Sequence, residues 1–522
     1  MTGFFKQKLH QLFSQTPVKV ISQGDLPEIP VIGISFDSRS VQPGFVFFAI
    51  GGENSDGHDY IQESIRRGAV AVVGTKTLVN LPVPYIQVDD SRQALAYISA
   101  AFYGFPGRHM TMIGVTGTDG KTTTSNMIYH ILLSAGLRTG IISTVNAVIG
   151  DEVVDTGLHV TTPEAPDLQR YLSRMLASGL THVVLEATSH GLAQHRVTGC
   201  EFDIGVVTNI THEHLDYHKT YEAYREAKGR LLTSLSSTQY KMVPSPRISV
   251  INADDPSFEY LASVTPVRKI AYSIKSEADI WAEDIQHTPS GLHFTAVTSE
   301  FRQGVTSKLV GSYNASNILA AMATTVLGLG ISPEEAARGI EALEGIPGRA
   351  EQIYLGQEFT SIVDFAHTPN ALKKILETTR ELTRGKVLAV FGSAGLRDRQ
   401  KRRMMAEVSV GLADLTFLTA EDPRTEALED ILAEMAEAAA GRGGVEGQNF
   451  WRIPDRGEAL RRAIRMAKPG DVVVSCGKGH EQSMCFGKVE YPWDDRTAMR
   501  AAISEYLNIP GPDMPVLPTQ SK

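Results

Sequence analysis

Three cysteines in 522 residues, Cys200, Cys476 and Cys485, are too few and too scattered for a disulfide framework or a zinc knuckle. They set the expectation of a reducing compartment. No apolar run is long enough to cross a bilayer, so membrane insertion is not expected. A basic excess is missing as well. The 50 Lys and Arg against 59 Asp and Glu leave a net charge of −9, which argues against nucleic acid as the main partner. There is no internal repeat. The opening MTGFFKQKLHQLF has neither a long apolar core nor a small-residue cleavage site, so an amphipathic helix is expected in place of a signal peptide, and a cytoplasmic location with it. What remains is an ordinary globular composition, 42% hydrophobic and 21% charged, on a chain long enough for about two to four domains.

The most informative stretch is MTMIGVTGTDGKTTTSNMIYHIL, residues 110 to 132. Met110 to Val115 is a short apolar run of strand type, Thr116 to Gly120 a turn, and Lys121 to Leu133 a helix closed by Ala135-Gly136. A strand, a glycine-rich turn and a helix opening on Lys-Thr make a phosphate cradle, because the turn's N–H groups and the helix N-terminus face the anion. The spacing is a shorter variant of the usual nucleotide loop, running Gly117, Thr118, Asp119, Gly120, Lys121, Thr122, Thr123, with Val115 in the slot of the customary first glycine. Lys121 is expected to reach the terminal phosphates of ATP and the Thr122 hydroxyl to sit on Mg²⁺.

The chain divides into a unit over residues 1–107, a second over 108–345, a third over 346–508 and a Pro-rich, flexible tail over 509–522. Strand-like runs at 32–36, 46–50 and 70–73 and a helix at 60–67 mark the first, and Phe105 to Arg108 reads as the linker out of it. Candidate strands at 140–143, 182–187, 204–209 and 248–252, with helices at 166–178 and 221–234, give the second the alternation of a parallel sheet. Residues 270–310 look like shorter antiparallel strands packed beside that sheet, followed by a helix from Asn314 to Leu329. The third unit carries strands in SIVDFA, KVLAVFG, ADLTFLT and DVVVSCG, again an open α/β sheet with polar clusters at the strand ends, where such sheets bind ligands.

Several clusters carry chemistry. Glu186 ends a strand in HVVLEATSHGLAQHR and is placed to complete a Mg²⁺ shell. His212, Glu213, His214, Asp216 and His218 crowd one segment, but their spacing is loose for zinc, and oxygen-rich Mg²⁺ ligation with one imidazole suits the phosphate turn better. Local sequence alone makes Lys228, on the next helix, an exposed lysine. It also makes Asp37-Ser38-Arg39 and Asp56-Gly57-His58 ordinary turn chemistry. In GSAGLRDRQKRR, residues 392–403, a glycine-rich turn precedes five cations, a pattern suited to clamping carboxylate or phosphate. Cys476 to Glu481 is a second backbone-rich loop whose glycines permit close approach of a ligand.

Taken together, DSRSVQPGFVFFAIGG, DGHDYI, GTDGKTTT, HVTTPEA, EATSHGLAQHRV, THEHLDYHKTYEAYREAK, GSYNASN, GIPGRAE, DFAHTPNAL, GSAGLRDRQKRR, EDPRTE and GKGHE resemble, in this order, the motifs of the Mur ligases, in their tripeptide-synthetase branch. The resemblance runs from about residue 31 to 505. It implies a three-domain α/β fold with an N-terminal UDP-substrate domain, a central P-loop ATPase domain with a parallel sheet, and a C-terminal Rossmann-like domain. It implies a monomer acting on small-molecule substrates in peptidoglycan precursor synthesis, with ATP and two Mg²⁺ sites. By this resemblance Lys228 is carried as a carbamate, reversing the local reading. Thr122 and Glu186 then match ligands of the first Mg²⁺, and His214 with carbamylated Lys228 those of the second. Ser38, Thr161, Thr162, Ser189, Gln194 and Arg196 match contacts to a UDP-muramoyl dipeptide, and Asn314, Arg349, Asp364 and His367 contacts to the base and ribose of ATP. Arg397, Glu421, Asp422, Arg424, Gly477 and Glu481 match the pocket for the added amino acid.

Asp119, Glu213, Phe365 and Asp422 stand where Asn, Asp, Tyr and Asn are usual in the resemblance. Asp422 bears on the amino acid, since an extra negative charge favours a terminal ammonium, whereas Arg424 favours a carboxylate. The expectation is meso-diaminopimelate ahead of L-lysine or L-ornithine. The competing readings are a folylpolyglutamate-synthase-like ligase, which the DSR and DGH unit opposes, and a non-ligating nucleotide-sugar-binding protein, which Lys228, Glu186 and His214 oppose.

Overall fold

The computed structural model describes residues 7–22, 25–52, 55–154, 161–211, 215–238, 241–288 and 291–519. Three sheets organise it. The N-terminal sheet is parallel throughout, in the order Gly33–Ser35, Phe45–Phe48, Ala69–Gly74, Tyr85–Gln87. Val46, Phe48, Val73 and Ile86 meet Leu95 and Ile98 of the helix Ser91–Phe102, which Asp90 caps by accepting the N–H groups of Arg92 and Gln93. The segment expected to be a plain linker is a packed joint. Phe105, Pro106 and Gly107 are buried, the Arg108 guanidinium lies 3.7 Å over the Phe105 ring, and a Cβ on Gly107 would sit 2.2 Å from the Cys200 carbonyl oxygen.

The central sheet has eleven strands. Thr139–Ile142, His182–Glu186, Thr111–Thr116, Ile204–Val207, Ile248–Asn252, Arg268–Ser273 and Ile280–Thr288 lie side by side and parallel. Residues 270–310 therefore correct the sequence expectation. They do not pack beside the sheet but continue it, since Tyr272 and Ser273 pair with Ile280 and Trp281 before Gly291–Val297 and Arg302–Ser307 turn antiparallel. Burial on both faces explains why the central strands are continuous apolar runs. Thr111–Thr116 passes over its neighbour to reach Thr139–Ile142, the chain returns to His182–Glu186 between them, and Ile204–Val207 lies on the other side. The strand order thus reverses beside Thr111–Thr116, the switch point at which open α/β sheets bind ligands. The helix expected over 314–329 starts at Tyr313 and changes to π-helix over Ala323–Gly328, where Thr324 and Thr325 donate their hydroxyls to the Ala320 and Ala321 carbonyls.

The C-terminal sheet runs Glu351–Gln352, Thr360–Asp364, Val472–Cys476, Val387–Phe391, Leu415–Leu418, Phe450–Arg452, parallel except for the first pair. Within the tail, residues 509–519 are described and make contacts with this unit. Leu517 is buried in the core of this unit, Met514 lies against Gly457, and Thr519 donates to Asp455 at 2.8 Å. Spaced apolar residues between the prolines give it something to bury.

Candidate active site

The site begins where strand register puts Glu186 beside Val115, so that its carboxylate reaches the turn leaving Thr111–Thr116. The Thr122 hydroxyl is 3.1 Å from both Glu186 oxygens, and the Thr144 N–H donates to one of them at 2.9 Å. Both residues are buried. The turn is tight by necessity. Gly120 has φ +82°, and a Cβ there would meet the Asn317 side-chain oxygen at 2.2 Å. Asn209 accepts the Thr118 N–H on its backbone oxygen at 2.7 Å and the Asp119 N–H on its side chain at 2.9 Å. The Lys121 ammonium donates to the Thr118 carbonyl at 2.8 Å.

Lys228 corrects the local reading: it is 1% exposed. The helix Tyr221–Ser234 turns Tyr224 and Lys228, four residues apart, under the phosphate turn. The Lys228 ammonium donates to the Gly117 carbonyl at 2.5 Å and lies 4.5 Å from the Tyr224 ring centre, while the Tyr224 hydroxyl is 3.0 Å from that of Thr118. His214, with His212 and Glu213, lies outside the described residues.

Beside Glu186, Thr162 donates to the Glu186 carbonyl and shares a hydrogen bond with Thr188, both at 3.1 Å. Arg196 donates to the Thr162 carbonyl and to Gln194, and pairs with Glu164 at 2.9 Å. Thr161 accepts from Thr144, and Ser189 is buried at the start of a short helix. Thr161, Thr162, Ser189, Gln194 and Arg196 are thus gathered on one side of the Thr122–Glu186 pair. Ser38 lies in the first unit, buried in a turn capped by Asp37. There His58 is locked between Asp56 at 2.6 Å and the Thr75 N–H at 3.1 Å, the turn role that local sequence suggested.

The third unit closes the other side. Arg349 donates to the Thr122 hydroxyl at 3.1 Å and stacks 4.7 Å from the Phe365 ring centre. Asp364 accepts the N–H groups of Ala350 and Ala366; its burial, only partly offset by Arg349, raises its carboxyl. Burial pushes His367 down to about 3 and His480 likewise, so both rings are neutral. The Asn314 amide is turned inward, donating to the Val310 carbonyl and accepting from Asn317.

At the strand ends of the third sheet, Asp422 and Glu481 both bond Lys478, at 3.0 and 2.5 Å, and Lys478 is fully buried. Asp422 is therefore not a bare charge, although one ammonium between two carboxylates leaves this cluster negative by one. Among the described residues neither Arg397, exposed, nor Arg424, half-buried, is in an ion pair. Glu421 is buried, its Oε2 has no hydrogen-bond partner among the described residues, and a Cβ on Gly477 would sit 2.0 Å from that oxygen. Sequence reasoning missed Lys478 as the hub of this cluster, Thr144 as a partner of Glu186, and Lys374, which pairs with Asp119 at 2.8 Å. Only the spacing of Asn370 and Lys374, four apart on one helix, hinted at the last.

Burial raises the Glu421 carboxyl to about 7, against the opposing pull of Arg456, Lys401 and Lys478 and with the help of Asp422. Between its ordinary 4.5 and about 7 the folded chain holds a proton that the unfolded chain has lost. Stability is therefore fully present below the lower value and falls as pH rises to the upper one. Glu421→Gln is expected to flatten this fall by up to about 3 kcal/mol, read from melting temperatures of the ligand-free protein between pH 5 and 7.5.

A glycine-rich turn between strand and helix, a buried Thr–Glu pair beside it and a third α/β unit closing on both are the arrangement expected of an ATP-dependent ligase. The chain matches the family models described as Mur ligase family, catalytic domain over residues 30–103, Mur ligase middle domain over 115–325, and Mur ligase, glutamate ligase domain over 348–479. It is 42% identical over 487 residues to a UDP-N-acetylmuramyl-tripeptide synthetase of Roseiflexus sp., covering 92% of this chain and 95% of the relative. It is 41% identical over 499 residues to a UDP-N-acetylmuramoyl-L-alanyl-D-glutamate–2,6-diaminopimelate ligase of Geobacillus thermodenitrificans, covering 95% and 99%. A solved structure of a ligase of that second name superposes with a TM-score of 0.67 at 30% identity, over 96% of this chain and 99% of the other. This chain belongs to the Mur ligase family, and it is an acid–amino-acid ligase with the three-domain α/β fold of that family.

Proposed function

We propose that this protein joins meso-2,6-diaminopimelate to UDP-N-acetylmuramoyl-L-alanyl-D-glutamate at the expense of ATP, as a monomer, with units at 1–107, 108–345 and 346–508 serving UDP-substrate, ATP and amino acid. The observation that carries the amino acid is the charge balance at the third sheet. Lys478 is shared by Asp422 and Glu481, while the guanidiniums of Arg397 and Arg424, in no ion pair among the described residues, are there to meet a carboxylate. L-Lysine and L-ornithine have no such group at their far end.

The γ-carboxylate of the D-glutamate attacks the γ-phosphoryl group of ATP, giving an acyl phosphate and ADP. The diamino acid's amine then adds to the acyl carbon, and the tetrahedral adduct expels phosphate. The turn N–H groups and Lys121 hold the phosphates, with Arg349 beside them. Asp364 and His367 take the ribose and base side, and inward-turned Asn314 supports the turn through Asn317. Thr161, Thr162, Ser189, Gln194 and Arg196 orient the muramoyl dipeptide, and Ser38 its nucleotide end. Thr122 and Glu186 supply buried hard oxygen donors of the kind Mg²⁺ takes, and they fit that ion; Lys228 as a carbamate, with His214, would hold a second. Bound there, Mg²⁺ neutralises charge that would oppose attack of a carboxylate on a phosphate.

The test is phosphate release from ATP with UDP-muramoyl dipeptide and each of meso-diaminopimelate, L-lysine and L-ornithine at equal concentration. Release is expected with the first, and Asp422→Asn should leave that order unchanged, because the charge it removes is already paired. A wild type that prefers L-lysine or L-ornithine refutes the choice of amino acid. Nucleotide-sugar binding with no phosphate release from any of them would mark a non-ligating protein.

A further inference from the structure

Asp119 stands inside the phosphate turn, where N–H groups and Lys121 are arrayed for anions, and a carboxylate there works against them. It is ionised all the same. Burial alone would raise its pKa, but Lys374, then Lys121, hold it below the usual range.

The cation that bonds Asp119 directly comes from outside the turn's own unit. Lys374 lies 2.8 Å from Asp119 Oδ2, and Asn370 donates to the same oxygen at 3.3 Å. These two are one turn apart on the helix Pro369–Leu382 of the C-terminal unit, whose start Thr368 caps. By contrast, the Asp119 backbone carbonyl is held within the central unit, by the Thr208 hydroxyl at 2.6 Å and the Asn209 amide at 3.0 Å. The turn's backbone is therefore fixed locally, while its charge is cancelled from across the unit boundary. Arg349, also of the C-terminal unit, bonds Thr122 in place of Asp119.

We infer that Lys374 is a positioning residue for the nucleotide site: docked on Asp119, it cancels a charge that opposes the phosphates, so that nucleotide binding and docking of the C-terminal unit favour each other. This rests on the nucleotide reading of the turn. By linkage the effect is reciprocal, so nucleotide must tighten the docking by the same factor. Both side chains are about a third exposed (37% and 29%), so salt screens the pair in part.

The experiment is Mg·ADP binding by the full chain, measured by calorimetry for wild type, Lys374→Met, Asp119→Asn and the double variant, with Lys374→Gln as a second removal of the cation. Lys374→Met is expected to weaken binding about three- to tenfold, and in the Asp119→Asn background to change it by less than about twofold. A merely structural lysine would not be rescued by removing the charge opposite it. Equal losses in both backgrounds would mean that Lys374 acts on the nucleotide directly and would overturn the inference, as would no loss in either. Failure of the wild type to bind Mg·ADP overturns the nucleotide reading and this inference together; binding without coupling overturns this inference alone.

Discussion

Lys228→Ala is expected to lower ligation by about 10²–10³-fold while Mg·ADP binding stays measurable. The Lys228 side chain is 1% exposed and lies against the Gly117 carbonyl and the Tyr224 ring, so whatever it carries sits at the phosphate turn itself. Carbon dioxide adds only to a neutral amine, and the product is a carbamate, an anion with two oxygens at the same place. Such a group would place an anionic oxygen ligand for Mg²⁺ beside the phosphates. Short carboxylic acids that fit the space left by the alanine should then restore part of the rate. Lys228→Ala at wild-type activity without additives would falsify the carbamate. Loss of Mg·ADP binding, with no recovery by acids, would instead make Lys228 a support for the Gly117 carbonyl.

Much of this arrangement was legible before any coordinates. The phosphate turn declared itself because strand, glycines and Lys-Thr are contiguous, and observed bounds of Thr111–Thr116 and Lys121–Ser134 differ from the expected ones by a residue. The strand ends carrying Glu186, Asp364, Glu421 and Gly477 were readable for the same reason: apolar runs stop where polar clusters start. What local pattern did not carry was pairing across long separations. Lys374 meets Asp119 across 255 positions and Lys478 meets Asp422 across 56, and no periodicity encodes either. Asp422 could thus be given a selective charge on paper that is paired with Lys478 in the fold. Lys228 on its own looked exposed because a single lysine on a polar helix does not reveal which face packs inward. The strands after residue 270 are legible as strands but their place is not, since hairpin pattern does not specify which sheet edge they extend.

Arg456→Met is expected to destabilise the C-terminal unit by about 3–5 kcal/mol, because it leaves a buried carboxylate without its cation. Arg456 and Asp495 are both fully buried and bonded through two oxygens, at 2.7 and 2.6 Å. Burial alone would raise the Asp495 carboxyl, yet Arg456, with Trp493 and Ser475, holds it below the usual range. The same guanidinium donates to the Ala420 carbonyl at 3.1 Å and to the Cys476 carbonyl at 2.7 Å. Those carbonyls immediately precede Glu421 and Gly477, so one side chain fixes the roots of both loops proposed to hold the amino acid. At roughly 2–4 °C per kcal/mol for a unit of this size, the melting temperature should fall by about 6–20 °C. Below that melting temperature the KM for the diamino acid should rise more than the KM for ATP, whose phosphate turn Arg456 does not touch. Asp495→Asn in the Arg456→Met background should return part of the stability, since it removes the orphaned charge. A double variant no more stable than Arg456→Met, or equal increases in both KM values, would show that Arg456 acts by filling space and not by holding these two loops.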